Sequence, residues 1–213
     1  MSVETRERTV TKMKNSKKAL IMAGVMAATM AFSGCQAEEK TPVILAVSFG
    51  TSFDDNREVT IGAVENAIKE ANPDYEVRRA FTSQIVIDVI KENGGAAIDN
   101  VEEAFDRLVE DGVKELVVQP THVMSGFEYD DLMAVIDEYE GKFDKLSVGA
   151  PLLTSDADYT TLADALVADT AAYNVDGTAV VFMGHGTHHE ANATYGKLQE
   201  TFTAKGNNNY FVG

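Results

Sequence analysis

The sequence predicts an α/β fold of parallel sheets with helices on both faces, and three observations carry that expectation. Short β-prone runs alternate with segments of helical period from about residue 42 onward. Alternation of this kind implies crossover connections, which join parallel strands. At 213 residues with 45% hydrophobic content, the chain is also long and apolar enough to bury a substantial core.

In chain order, the first strand is expected over Val43 to Ser48, bounded by Pro42 and Gly50. A helical stretch with Ile61, Val64 and Ile68 on one face follows it. Further strands are expected at Tyr75 to Phe81, Glu115 to Gln119, Leu146 to Ala150 and Ala179 to Met183. Between them lie three more helical faces: Val101, Phe105, Leu108 and Val109; then Leu132, Val135, Ile136 and Tyr139; then Leu162, Leu166 and Tyr173. Residues 42–151 read as one α/β half and 152–213 as the start of a second, with the boundary near Pro151 to Ser155. Asn209 to Val212 begin another strand and the sequence stops at Gly213, so the second half is expected to be truncated in this chain.

The first 34 residues differ in kind. Six Lys/Arg stand against Glu4 and Glu7, a net +4, followed by the apolar run Ala19 to Ser33. That run is too short to span a bilayer and too uniform for an amphipathic helix, so residues 1–34 read as a signal peptide. A start at Met13 gives it a compact basic lead. Phe32-Ser33-Gly34-Cys35 resembles a bacterial lipobox, with Cys35, the only cysteine, as the lipidated first residue of the mature chain and residues 36–41 as a polar tether. The expected location is therefore outside the cytoplasm, lipid-anchored to the bacterial membrane and facing the periplasm or cell exterior. A lone cysteine excludes an internal disulfide. Residues 35–213 sum to −20, which the +4 of the first 34 residues brings to −16 for the whole chain, and they show no basic stripe, which argues against nucleic acid as a partner.

Ligands in parallel sheets bind beyond the carboxyl ends of the strands, and three such loops carry chemistry. Ser48-Phe49-Gly50-Thr51-Ser52 follows the first strand, where Gly50 permits a tight turn and Thr51 and Ser52 offer hydroxyls and N–H groups to an anion. Simple helix capping by Ser52 or Asp54 is the alternative. Gln119-Pro120-Thr121-His122 ends the third strand, and His122 is either a ligand or proton carrier or a hydrogen-bonded structural residue. Met183-Gly184-His185-Gly186-Thr187-His188-His189 holds three of the four histidines. His185, between two glycines that let the backbone approach a large flat ligand, is the residue expected to bind metal or accept a proton. On a helix beginning near Thr187, His188 and His189 diverge and are expected to be solvated or supporting.

Together, Val47-Ser48-Phe49-Gly50-Thr51-Ser52, Arg78-Arg79-Ala80-Phe81-Thr82-Ser83, Val118-Gln119-Pro120-Thr121-His122 and Phe182-Met183-Gly184-His185-Gly186-Thr187 resemble the anaerobic cobalt chelatases. These sirohydrochlorin cobaltochelatases are class II chelatases, the class that includes ferrochelatase. The resemblance implies a chelatase-like fold of two similar halves with the tetrapyrrole between them. It implies no organic cofactor, a divalent metal (cobalt or ferrous iron) as substrate, and His185 as the metal-binding and proton-accepting residue. The family's further Glu and second His fall beyond Gly213. For a substrate with eight carboxylates, Arg78, Arg79 and the N–H groups of Gly50, Thr51 and Ser52 are the expected contacts, although alternation along a strand lets at most one of the two arginines reach the cleft.

Expected, then, is an exported chelatase that inserts metal into a sirohydrochlorin-type tetrapyrrole. The alternatives are a surface lipoprotein that captures haem or metal for a transporter without turnover, and a metal-storage protein. Beyond the tetrapyrrole and the membrane, a homo-oligomer or a transporter is the further partner expected.

Overall fold

A central strand, β1 (Val43–Ser48), is buried along all six residues. Its Val-Ile-Leu-Ala-Val run has no polar alternation, as befits a strand covered on both faces. It pairs in parallel with β2 (Glu76–Phe81) on one side and β3 (Glu115–Pro120) on the other, and β4 (Lys145–Val148) adds to β3. The resulting sheet has the order β2-β1-β3-β4. The structure is a computed structural model describing residues 41–213; the expected signal peptide, the lipidated Cys35 and the tether as far as residue 40 lie outside the described residues.

Parallel pairing requires crossovers. Helices α1 (Asp54–Val59) and α2 (Ile61–Ala71) connect β1 to β2, α3 (Gln84–Glu92) and α4 (Val101–Glu110) connect β2 to β3, and α5 (Phe127–Glu138) connects β3 to β4. The start of α4 is set by a capping box in which Asn100 and Glu103 satisfy each other's backbone N–H. One cluster joins Val43, Leu45, Val47, Leu116 and Val118 to Phe105 and Leu108 of α4 and Leu132 and Ile136 of α5. A smaller one collects Phe81, Ile87 and Ile90.

After Gly149 the chain forms a second parallel sheet. Helix α6 (Asp156–Asp169), β5 (Val180–Phe182), α7 (Ala193–Ala204) and β6 (Tyr210–Val212) enclose Tyr159, Ala163, Leu198, Phe202 and Tyr210. Phe202 and Tyr210 stack at 5.2 Å between ring centroids. The opposite face of this two-stranded sheet exposes Val181 and Phe211. The link between the sheets, where the sequence suggests a boundary, is pinned to the first one. Gly149 N–H donates to Val118 O at 2.8 Å, and Leu152 and Leu153 N–H donate to His122 O and Val123 O, each at 2.9 Å.

The α/β class and the parallel sheets match the sequence reading; some faces and helix limits do not. The helix expected over Ile61 to Ile68 is preceded by a separate turn of helix, broken at Thr60, and Val64 is 46% exposed. Val109 and Tyr173 are also exposed, because each sits at or past the end of its helix, beyond the core stripe. The helix expected from Thr187 starts instead at Ala193, after a 3-10 turn over Glu190–Asn192. Side chains of Thr187, His189 and Asn192 take the backbone N–H groups there, a local arrangement that competes with helix. Among the described residues no helix is long and apolar enough to cross a membrane.

Phe105 has no exposed surface and packs its ring 4.8 Å from Tyr139 and 6.0 Å from Phe143. Phe105→Ala is expected to lower unfolding free energy by about 3–5 kcal/mol, read by denaturant titration. A loss below about 1 kcal/mol would contradict this packing account.

Candidate functional site

Because all four strands of the first sheet run the same way, their carboxyl ends and the following loops gather at one edge. Thr82 N–H donates to Ser48 O at 2.9 Å, and Thr121 N–H to Val47 O at 2.8 Å, so the loops after β2 and β3 are held against the end of β1. Above this edge lies a cavity of about 730 Å³, lined among others by Ser48, Phe49, Gly50, Thr51, Thr121, His122, Phe127, Glu128, His185 and Tyr195. Its size falls in the roughly 300–1,000 Å³ range of small-molecule sites.

The floor is formed by the β1 loop. Gly50 has φ +101°, and a Cβ there would fall 2.5 Å from the Phe81 ring, so only glycine lets the chain turn over that buried aromatic. The capping expected from Ser52 or Asp54 is absent: α1 begins after Phe53 without a side-chain cap. Ser52 faces a neighbouring hollow with Phe53, Asp54 and Gly94 and does not line the main cavity.

His122 is the most unusual group in the wall. Both its ring nitrogens are shielded from solvent and lack a hydrogen-bond partner. Burial pushes its pKa below the ordinary histidine value, and the nearby Glu128 charge only partly offsets this. The ring is therefore neutral near neutral pH. Ser48 Oγ and Thr82 Oγ1 are likewise buried and unpaired. Unsatisfied buried polar groups each cost about 1–3 kcal/mol. Among the described residues these side-chain atoms all lie at the carboxyl ends of β1, β2 and β3, which marks that edge as built for something other than stability.

His185 enters from the second sheet, on the loop after β5. The residue is exposed and lines the cavity, and among the described residues no side-chain hydrogen bond orients it. Gly184 serves a purpose the sequence did not reveal: a Cβ there would lie 2.3 Å from the Tyr195 ring of α7. The space is filled by that ring and is not left for a ligand. His188 is exposed, whereas His189 is half-buried, accepting from Ala191 N–H through Nδ1 and facing Asp130 through Nε2. Phe127 and Glu128 follow the His122 loop in sequence and line the cavity with it, whereas Tyr195 had no sequence signal and reaches the cavity through helix placement alone.

Arg78 and Arg79 are not brought to this cavity. Arg78 pairs with Glu76 at 2.8 Å and with Asp111 at 2.5 Å. Arg79 pairs with Glu65 at 2.5 Å and sits over Phe81 at 5.8 Å. Both line a separate hollow with Lys69 and Asp99. The physical reason is that acids on α2, on β2 itself and after α4 lie within their reach and take up both guanidinium groups.

Chemically, the cavity combines one free imidazole, one buried neutral imidazole, one carboxylate and several hydroxyls with the apolar side chains of Phe49, Val123 and Phe127. Such a wall suits a flat ligand with apolar faces and polar groups at its edge. Among the described residues no three His, Cys, Asp or Glu side chains are placed to hold a metal ion together.

His122 makes a pH signature. Its folded pKa lies below the unfolded value of about 6.5, so between those values the unfolded chain binds more protons. Its contribution to stability is thus complete above about pH 6.5 and is lost as pH falls through the depressed folded pKa. His122→Leu is expected to remove that increment of acid sensitivity and to leave stability at pH 8 equal or higher, both read from thermal unfolding at several pH values. A large loss of stability at pH 8 would show that the ring makes a bond in solution.

The sequence model of the family described as cobalt chelatase (CbiK) matches residues 42–213. The chain is 35% identical over 162 residues to the sirohydrochlorin cobaltochelatase of Salmonella typhimurium strain LT2, covering 76% of this chain and 61% of that protein. It is 35% identical over 160 residues to the sirohydrochlorin cobaltochelatase CbiKC of Nitratidesulfovibrio vulgaris strain Hildenborough, covering 73% and 55%. The matched region thus spans about three-fifths or less of either relative's length. With the family pattern running from the start of β1 through the His185 loop to β6, the chain belongs to the cobalt chelatase (CbiK) family.

Proposed function

We propose that the protein is an exported chelatase that inserts a divalent metal, cobalt or ferrous iron, into a sirohydrochlorin-type tetrapyrrole. The observation that carries this reading is the exposed imidazole of His185, without a side-chain hydrogen-bond partner among the described residues, in a cavity whose wall combines Phe49, Val123 and Phe127 with hydroxyls, His122 and Glu128. The family membership and the names of the relatives support the chemistry.

Insertion removes two pyrrole N–H protons and exchanges the ion's solvent ligands for ring nitrogens. The electron pair of each broken N–H bond stays on nitrogen and becomes a bond to the metal. A neutral His185 offers one lone pair, first to the incoming ion and, once the ion has passed to the ring, to one of the two protons, while the other leaves to water at the open side of the cavity. The macrocycle's flat faces match Phe49, Val123 and Phe127, which are each about half exposed. Its carboxylates then meet neutral donors, Thr51, Asn56, Thr121 and Thr187 and the Gly50 loop, or solvent. Arg78 and Arg79 have no part in this arrangement, since their partners hold them elsewhere. His122 is assigned to substrate binding, as a neutral group in the wall.

His185→Ala is expected to abolish metal insertion while leaving the unfolding transition in place, because an exposed loop side chain contributes little packing. Steady-state insertion of cobalt into sirohydrochlorin measures the first, and circular dichroism the second. Tight binding of the macrocycle by the wild type without turnover would assign the protein to capture instead of insertion.

For location, the basic lead, apolar run and Gly34-Cys35 pair support lipidation at Cys35 and a place on the outer side of a bacterial membrane. Cys35→Ser is expected to move the protein from the membrane fraction to the soluble one, since the acyl chains provide the anchor. Retention in the membrane fraction would count against the anchor.

A further inference from the structure

His189 stands four residues beyond His185, and its ring is committed at both nitrogens. Nδ1 accepts the Ala191 N–H at 3.0 Å, so the proton of the neutral ring is on Nε2, which donates to Asp130 Oδ2 at 3.1 Å. Asp130 belongs to α5, the helix after β3 of the first sheet. Phe127, one turn earlier on α5, meets the His189 ring edge-on with centroids 4.8 Å apart. The His189 side chain is only 14% exposed, against 60% for Asp130. This contact therefore joins the loop of the second sheet to a helix of the first.

That connection reaches the site on both sides. Phe127 lines the cavity, and so does His185. Within the loop, His189 N–H donates to Thr187 Oγ1 at 3.1 Å, and Thr187 N–H donates to Asn192 Oδ1 at 3.1 Å. The Thr187 side chain, two residues from His185, is thus bonded to the His189 backbone, and the Thr187 backbone to Asn192. Metal-binding histidines are usually oriented by a partner on the other ring nitrogen. His185 has no such side-chain partner among the described residues, so its placement depends on its loop.

We propose that His189 is a positioning residue. Through Asp130 and Phe127 it fixes the His185 loop against α5 and so sets the distance between the reactive imidazole and the wall that receives the macrocycle. The assignment rests on the chelatase reading of the cavity. It also separates His189 from metal binding, because its one lone pair is already taken by Ala191 N–H.

The test compares His189→Ala, His189→Gln, Asp130→Ala and the double alanine variant with wild type, using cobalt(II) and metal-free sirohydrochlorin as probes. Displacing a reactive group by about 1 Å can cost on the order of 100-fold in rate. Expected are kcat losses of about 10- to 100-fold in His189→Ala and Asp130→Ala, with no further loss in the double variant, as for two members of one contact. Affinity for cobalt alone should stay within about twofold of wild type, since neither residue binds the ion; His189→Gln, which keeps a donor toward Asp130, should recover part of kcat. Exposed Asp130 can be changed without disturbing the core, so folding does not obscure the result. The sirohydrochlorin dissociation constant, which needs no turnover, should weaken in both single variants. If wild type binds the macrocycle but inserts no metal, the chelatase reading fails while this constant still supports the positioning role. Unchanged kcat and dissociation constant in both single variants, or a loss of cobalt affinity in His189→Ala alone, would overturn it.

Discussion

Parallel hydrogen bonding of β1 to strands on both sides is the constraint from which the rest follows. It places residues 43–47 level with residues 76–80 of β2 and 116–120 of β3. Parallel strands must all be left from the same edge, so the loops carrying Ser48 to Thr51, Thr82 and Thr121 to His122 have no alternative but to meet there. The core apolar residues make this pairing stable, and the same pairing gathers polar side chains at one end of an otherwise dry sheet. Gly50 shows how tight the meeting is, since the Phe81 ring from β2 occupies the space that any side chain would need.

The energetic oddities of the fold concentrate at that edge. A hydroxyl on β1, another after β2 and an imidazole after β3 are each buried without a partner. A core selected for stability alone would have apolar groups in these positions. Opposite them, the second sheet contributes His185, exposed and unrestrained, on a loop fastened to α5 by His189. The cavity therefore has a wall of buried, unpaired polar groups on one side and an exposed imidazole on the other, on a loop that His189 joins to α5. This division suits a ligand that is gripped by its faces and altered at its centre.

Much of this was legible in the sequence, and the pattern of what was not is physical. An uninterrupted apolar run such as Val43 to Val47 has few other interpretations, and three histidines in five residues, the first of them between two glycines, identify themselves. The pattern along β2 carries no information about Glu65 or Asp111, acids 14 and 33 residues from Arg79 and Arg78 in sequence that take up both guanidinium groups. Gly184 looked like room for a ligand, whereas the room belongs to Tyr195 eleven positions later. The His189–Asp130 contact spans 59 residues and joins two elements whose relative placement no local pattern encodes. Helix limits failed where Thr187, His189 and Asn192 use their side chains to satisfy the backbone, a choice that depends on the clasp itself.

The central claim is that the strand-end loops of both sheets enclose one site in which His185 handles the metal. Diffraction from crystals soaked in cobalt(II), collected at the cobalt edge, tests it without reliance on turnover. The account predicts an anomalous peak inside the cavity at bonding distance, about 2.0–2.2 Å, from a His185 ring nitrogen. A cobalt ion bound elsewhere, with the cavity empty and His185 unliganded, would contradict it.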